Sequence, residues 1–231
     1  MSQLIFDIET IGEDFDQLDG LTQEALTYWI KRESLSNEEA DHVLEDVKNG
    51  LGFSPLTGQI IAIAMLDYQK NKGAVYFQAL NQKIADFQEG DFVCKQMTEQ
   101  EMLAKFWQVA LNYQQFVTFN GRAFDAPFLI IRSAAFKIKP SVNLMPYRYA
   151  DNVHIDLLDQ LTFYGAVRRR GNLHLWTRAF GIKSPKGQGV SGRDVAPLFK
   201  AGKFSEIASY SAGDVMATKE LYEYWRDYVK G

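Results

Sequence analysis

The sequence predicts an α/β fold, a mixed sheet of about five strands with helices on both faces. Three observations predict it. Short apolar runs rich in β-branched and aromatic residues recur at 4–8, 59–66, 74–79, 116–119 and 153–158. Longer stretches with apolar residues at helical spacing lie between and after them. The chain of 231 residues, 46% hydrophobic and 23% charged, is long enough to bury a substantial core. No internal repeat, low-complexity run or linker divides it, so residues 1–231 read as a single domain with a helical insertion at about 11–58.

The first strand comes from Leu4, Ile5, Phe6 and Ile8. Asp7 and Glu9 stand two apart on it, so both carboxylates project from one face. Two like charges on an apolar strand need a compensating cation, unless the strand is a sheet edge with one solvated face. A divalent cation is the simplest compensator, and both readings remain open at this segment. Within 11–58, Ser36-Asn37-Glu38-Glu39 is a capping box. Val43, Leu44 and Val47 give the helix that follows a modest apolar face, and Gly50 ends it. Gln59 to Leu66 is nearly continuous in apolar residues, as a central strand covered on both faces should be. Asn71-Lys72-Gly73 makes a turn into the second arm of a hairpin at 74–79. Thr98-Glu99-Gln100-Glu101 is another capping box, opening a helix with Met102, Leu103, Phe106, Trp107, Ala110 and Leu111 on its apolar face.

Phe116 to Phe119 forms a strand that runs into Asn120-Gly121-Arg122-Ala123-Phe124-Asp125-Ala126-Pro127. Gly121 permits a tight turn and Pro127 suits a first helical turn, placing Asp125 at or near a helix N-cap. Capping alone would explain Asp125, yet the loop after the carboxyl end of a strand is also where open α/β sheets place ligands. Val153 to Leu158 reads as the last strand and the start of a helix, with Asp156 either capping that helix or supporting a site. Leu173, Leu175, Trp176, Ala179 and Phe180 form an amphipathic helix ending at Gly181, and 183–192 reads as a Gly-rich surface loop. On the final helices Tyr210 and Asp214 are four apart and share a face, as a core Tyr beside a solvated Asp also would. His154 and His174 read as structural.

Three segments thus offer acidic groups, and together they resemble the three motifs of the DEDD superfamily of 3′–5′ exonucleases (DnaQ-like, ribonuclease H-like fold). Asp7-Ile8-Glu9-Thr10 matches the first motif, Asn120 with Phe124 and Asp125 the second, and Tyr210 with Asp214 the third. The histidine subclass would need His where Ser209 stands, so the chain resembles the tyrosine subclass, DEDDy. It looks most like the exonuclease domain of family B DNA polymerases, expected here without a polymerase domain. Ser191-Gly192-Arg193-Asp194-Val195 and Leu198-Phe199 add to that similarity, which spans Phe6 to Asp214.

The resemblance implies two divalent ions, Mg²⁺ or Mn²⁺, held by Asp7, Glu9, Asp125 and Asp214. Asp7 would bridge them, Glu9 and Asp214 would complete one site, and Asp125 would bind the other ion directly or through water. Such hard cations suit carboxylate oxygens and stabilise both the attacking and leaving oxygens of a phosphodiester. Tyr210, a phenol with an ordinary pKa of about 10, would orient the attacking water rather than act as general base. The implied substrate is the 3′ end of single-stranded nucleic acid, DNA favoured, releasing nucleoside 5′-monophosphates. Asn120 would support the second-motif loop or contact the substrate.

Arg168, Arg169, Arg170, Lys183 and Lys186 form the densest basic region. It could track a phosphate backbone while Phe124 or Phe15 stacks a terminal base, although a charge run is also commonly just a solvated face. The net charge of −4 argues against a strongly basic nucleic-acid module without excluding an enzyme with local basic groups. Cys94 is the only cysteine, which excludes an internal disulfide and a thiolate zinc site. No apolar run reaches roughly 18 residues and no signal peptide precedes the first strand, so no membrane partner and a cytoplasmic location are expected. The rival readings are a nucleic-acid-binding module that kept the fold without catalysis, and an exoribonuclease of RNA maturation.

Overall fold

A computed structural model describes residues 1–33, 36–182, 192 and 194–231. The chain opens with β1 (Gln3–Gly12), then the helices α1 (Gly20–Thr27) and α2 (Asn37–Gly50). β2 (Gly58–Asp67), β3 (Lys72–Phe77), β4 (Phe87–Glu89) and β5 (Phe92–Gln96) follow, then α3 (Glu99–Ala110), β6 (Gln115–Thr118) and α4 (Asp125–Ala135). The remainder holds β7 (His154–Asp156), α5 (Leu157–Leu161), α6 (Leu173–Ala179), α7 (Val195–Lys200) and α8 (Phe204–Tyr228).

These strands make one mixed sheet in the order β4-β5-β3-β2-β1-β6-β7. β1 is antiparallel to β2 and parallel to β6, so it is an interior strand and not a solvated edge. Among the described residues the sheet has seven strands, where the sequence predicts about five. The additional pair, β4 and β5, is short and partly exposed, and β5 joins the sheet by pairing in parallel with β3. Such segments carry little apolar periodicity of their own, and their pairing partner is distant in sequence.

The two faces of the sheet bury different helices. Ile5, Ala62, Ala64, Leu66 and Val75 pack with Ile207, Ala208, Val215 and Leu221 of α8. Leu4, Phe6, Ile8, Ile63 and Met65 pack with Met102, Leu103 and Phe106 of α3 and Phe128 and Leu129 of α4. β2 is buried along nearly its whole length, as its apolar run requires. Both capping boxes form, at Ser36 with Glu39 and Thr98 with Glu101. Leu111 departs from expectation: it stands beyond the end of α3 and is exposed.

Candidate active site

β1 fixes the first two carboxylates. Asp7 lies opposite Ala64 and Glu9 opposite Ala62, and these small buried partners leave room above the sheet for α8. The register steps by an extra residue on β2 between Glu9 and Thr10, leaving Ile61 without an opposite number. Such a bulge bends the strand and re-aims the side chains beside it. Just beyond, the 3-10 turn Leu51–Phe53 presses onto the end of β1, with Thr10 Oγ1 donating to the Gly52 carbonyl at 2.7 Å. A Cβ on Gly52 would come within 2.9 Å of the Gly12 nitrogen, so the close approach requires glycine.

Asp125 is placed by a gap in the sheet. β6 pairs with β1 only through Gln3–Ile5 and ends at Thr118, so no strand accompanies β1 on that side at Ile8. The Ile8 amide instead donates to Asp125 Oδ1 at 2.9 Å. Asp125 is the first residue of α4 and not its cap; the N-cap position is Phe124, whose side chain makes no capping bond. A carboxylate in the first helical turn is also favoured by the helix dipole. The turn before it is tight: Asn120 has φ 64°, and a Cβ on Gly121 would lie 2.3 Å from Thr118 Oγ1.

That turn is held by Asp156. Its carboxylate accepts the Asn120 and Arg122 amides, each at 2.9 Å, and the Leu158 amide at 3.0 Å. Asp156 therefore caps α5 and organises the second-motif loop together, a double duty the sequence left as alternatives. His154, on the same short strand, bonds Thr118 Oγ1 through Nε2 and the Leu144 carbonyl through Nδ1. The carbonyl can only accept, so Nδ1 carries the proton, and burial pushes the ring's pKa down to about 4. It is a satisfied core histidine.

The N-terminal half of α8 crosses over the Asp7 and Glu9 face of β1. Ligand oxygens of Asp7, Glu9 and Asp214 lie within 4.8 Å of one another. Tyr210, one turn before Asp214, is buried and hydrogen-bonds its carboxylate. Burial first, then the charges of Asp125, Glu9 and Asp214, push Asp7 well above the usual carboxylate range. Burial likewise pushes Asp125 up to about 7, against the opposing pull of the Ile8 amide. Burial and the neighbouring Asp214 and Glu9 charges push the Tyr210 phenol upward, so it stays protonated at neutral pH. A hard cation fits such a group chemically: every donor is a carboxylate oxygen, and positive charge relieves the repulsion that raises Asp7.

A family model described as "Predicted 3'-5' exonuclease related to the exonuclease domain of PolB" matches residues 53–226. The chain belongs to this family. The PolB-related exonuclease family carries a nuclease role, and its matched span contains Asn120, Phe124, Asp125, Tyr210 and Asp214; Asp7 and Glu9 lie upstream and meet Asp125, Tyr210 and Asp214 in space. The chain is also 24% identical over 182 residues to DNA polymerase 1 of Sulfurisphaera ohwakuensis, covering 70% of this chain and 20% of the polymerase. It is 27% identical over 175 residues to a DNA polymerase of Pyrococcus glycovorans, covering 69% of this chain and 21% of the polymerase. The chain thus spans about a fifth of the length of these curated relatives. The solved family B DNA polymerase from Pyrobaculum calidifontis superposes with a TM-score of 0.58 at 15% identity, covering 97% of this chain and 24% of that one. That likeness carries the fold, the ribonuclease H-like α/β sheet described above.

The remaining candidates scatter. Phe124 is half-buried against Phe128 and meets the ring of Phe53 edge-on at 6.3 Å. Phe53 is 72% exposed and escaped the sequence reading, because nothing local distinguishes it from any other loop aromatic. Phe15 lines a cavity of about 520 Å³ between α1 and α2. Arg168 and Arg169 are exposed on the connection from α5 to α6, while Arg170 pairs with buried Asp159 at 3.3 Å. Lys183 and Lys186 lie outside the described residues, as do Ser191 and Arg193. Among the described residues, no helix is long and apolar enough to cross a membrane.

Proposed function

We propose that this chain hydrolyses phosphodiester bonds at the 3′ end of single-stranded nucleic acid, DNA favoured, as a metal-dependent enzyme of the DEDDy subclass. The products are nucleoside 5′-monophosphates. The observation that carries the reading is the convergence of Asp7, Glu9 and Asp214 oxygens within 4.8 Å, with Tyr210 bonded to Asp214 and the Asp125 charge acting on Asp7. Asp7, Glu9 and Asp214 would hold one Mg²⁺ or Mn²⁺, and Asp125 with Asp7 a second. When bound, these ions supply positive charge where the attacking and leaving oxygens develop negative charge.

The protein's own contribution is placement. β1 fixes Asp7 and Glu9 on a rigid strand, and the Ile8 amide fixes Asp125 against it. Tyr210, protonated and anchored on Asp214, positions the attacking water by hydrogen bonding and does not remove its proton. Phe53, exposed and packed edge-on against Phe124, offers an aromatic ring for the terminal base to stack on. Asn120 shapes the loop through its left-handed backbone.

The test is digestion of 5′-labelled single-stranded DNA and RNA, side by side, with Mg²⁺, Mn²⁺ or EDTA. The reading expects a shortening ladder that needs metal, runs faster on DNA, and disappears in Asp7→Ala. Digestion that survives EDTA or Asp7→Ala would overturn it; so would no digestion of either strand.

A further inference from the structure

A second feature adjoins the second-motif loop on its far side. Arg122, three residues before Asp125, donates from Nη2 to the Pro146 carbonyl at 2.7 Å. Pro146 opens the segment Tyr147-Arg148-Tyr149, in the connection between α4 and β7. The ring of Tyr147 meets Tyr149 edge-on at 5.5 Å, and Tyr149 meets Tyr164 at 4.7 Å. Tyr147 is 74% exposed and Tyr149 59%, so the ladder of rings faces solvent.

This ladder is built at a cost in backbone strain. Phe163 and Tyr164 both have positive φ, 48° and 54°, a conformation that side chains with a Cβ rarely adopt and bulky aromatics least of all. Consecutive residues of this kind persist only where the surroundings over-determine them, typically at functional sites. Here the turn brings Tyr164 under Tyr149, with its hydroxyl held by Gln160 at 2.8 Å. Two arginines frame the rings: Arg148 and Arg170 both reach the single buried carboxylate of Asp159. Arg168 and Arg169, both exposed, immediately precede Arg170 in the chain. Asp151 also lies beside Tyr164 but is paired with Lys230 at 3.2 Å, so among the described residues the guanidinium groups still outnumber the carboxylates that face them. The opposite flank differs in sign, because the cavity of about 650 Å³ beside Tyr210 is lined by Glu89, Asp91 and Glu206.

We propose that Tyr147, Tyr149 and Tyr164, with Arg148 and the Arg168–Arg170 strip, form a track for the single strand upstream of its 3′ end. This rests on the exonuclease reading for the position of that end. Exposed rings stack bases without regard to sequence, and the guanidinium surplus meets phosphates. The track is rigidly tied to the cleavage site. Asp156 holds the second-motif loop and caps α5, the helix whose Asp159 anchors Arg148 and Arg170. A protein partner would also suit exposed Tyr and Arg. The surplus of positive charge and the tie to the second-motif loop favour nucleic acid.

The test compares wild type with Tyr147→Ser/Tyr149→Ser and with Arg168→Gln/Arg169→Gln. Binding of a labelled strand of roughly 20 nucleotides is read by anisotropy in EDTA, and digestion of that strand and of a trinucleotide is read with metal. The tyrosine variant is expected to bind the long strand about tenfold more weakly or worse. Its KM on that strand should rise alike while kcat/KM on the trinucleotide stays at the wild-type value. The arginine variant should lower the slope of log K against log salt by about 1.4, two phosphate contacts' worth. Wild-type binding by the tyrosine variant, or an equal loss on both substrates, would overturn the track. Should the tyrosine pair fail to fold, Tyr147→Ser alone, at the more exposed ring, decides the same question. Wild-type binding without digestion of either substrate would sink the exonuclease reading and leave the tyrosine variant's binding to decide the track. No binding by wild type would overturn the track outright.

Discussion

Asp125→Asn separates charge from shape at the candidate site. Asparagine keeps an oxygen to accept the Ile8 amide, bonded at 2.9 Å in the wild type, and replaces the other carboxylate oxygen with a neutral NH2 group of nearly the same size. Burial pushes Asp125 up to about 7 from an ordinary 3.8. Because the folded pKa is raised, the folded state binds the proton more tightly than the unfolded chain. Stability is therefore lost as pH rises from about 4 through about 7, and the penalty is fully present above that window. Across the interval the cost reaches on the order of 4 kcal/mol near pH 8, and is below about 2 kcal/mol near pH 5. In metal-free buffer the asparagine variant should therefore exceed wild type by that order near pH 8, with the advantage shrinking by half or more near pH 5. Urea unfolding in EDTA at both pH values measures it, and activity with metal should be lost at the same time. A variant no more stable than wild type near pH 8, or an advantage independent of pH, would refute the reasoning that Asp125 is an uncompensated buried charge.

Other substitutions probe the supporting structure. Tyr210→Phe keeps the buried ring and removes the hydroxyl on Asp214, so the hydrolysis rate should fall about 100-fold or more while urea stability changes by only about 1 kcal/mol. Asp156→Ala strips the acceptor from the Asn120, Arg122 and Leu158 amides, and thermal or urea unfolding should show a loss on the order of 3–5 kcal/mol. The surviving folded enzyme should also be slower, because the loop carrying Asp125 loses its anchor. Glu99→Ala leaves Arg132 without its two-point carboxylate partner and the Ile60 amide without an acceptor. It should cost about 3–5 kcal/mol in urea unfolding with little change in kcat.

What the sequence discloses and what it conceals divide along physical lines. Asp7 and Glu9 are legible because a two-residue spacing on a strand fixes a shared face whatever surrounds it. Tyr210 and Asp214 are legible for the matching reason on a helix. The capping boxes at Ser36 and Thr98 are local chemistry and form as read. Asp125 is legible at or near the start of a helix, but its grip on Ile8 depends on where β6 stops pairing with β1, a fact of register and not of local spacing. The same holds for Asp156, whose helix-capping role is local while its hold on Asn120 and Arg122 crosses more than thirty residues of chain. The Arg168–Arg170 run announced positive charge without disclosing that Asp159 takes up Arg170. β4 is hidden because a three-residue strand with two exposed positions has no periodicity to detect, and β5 because it joins the sheet through a parallel pairing with β3 that no local spacing discloses.

The most direct measurement is a calorimetric titration of Mn²⁺ into the metal-free protein near neutral pH, with Asp7→Ala beside it. The account predicts saturable binding by wild type, accompanied by proton release because Asp7 and Asp125 are pushed upward, and loss of that binding in the variant. Equal binding by both proteins, or none by wild type, would contradict the claim that these carboxylates form a metal site.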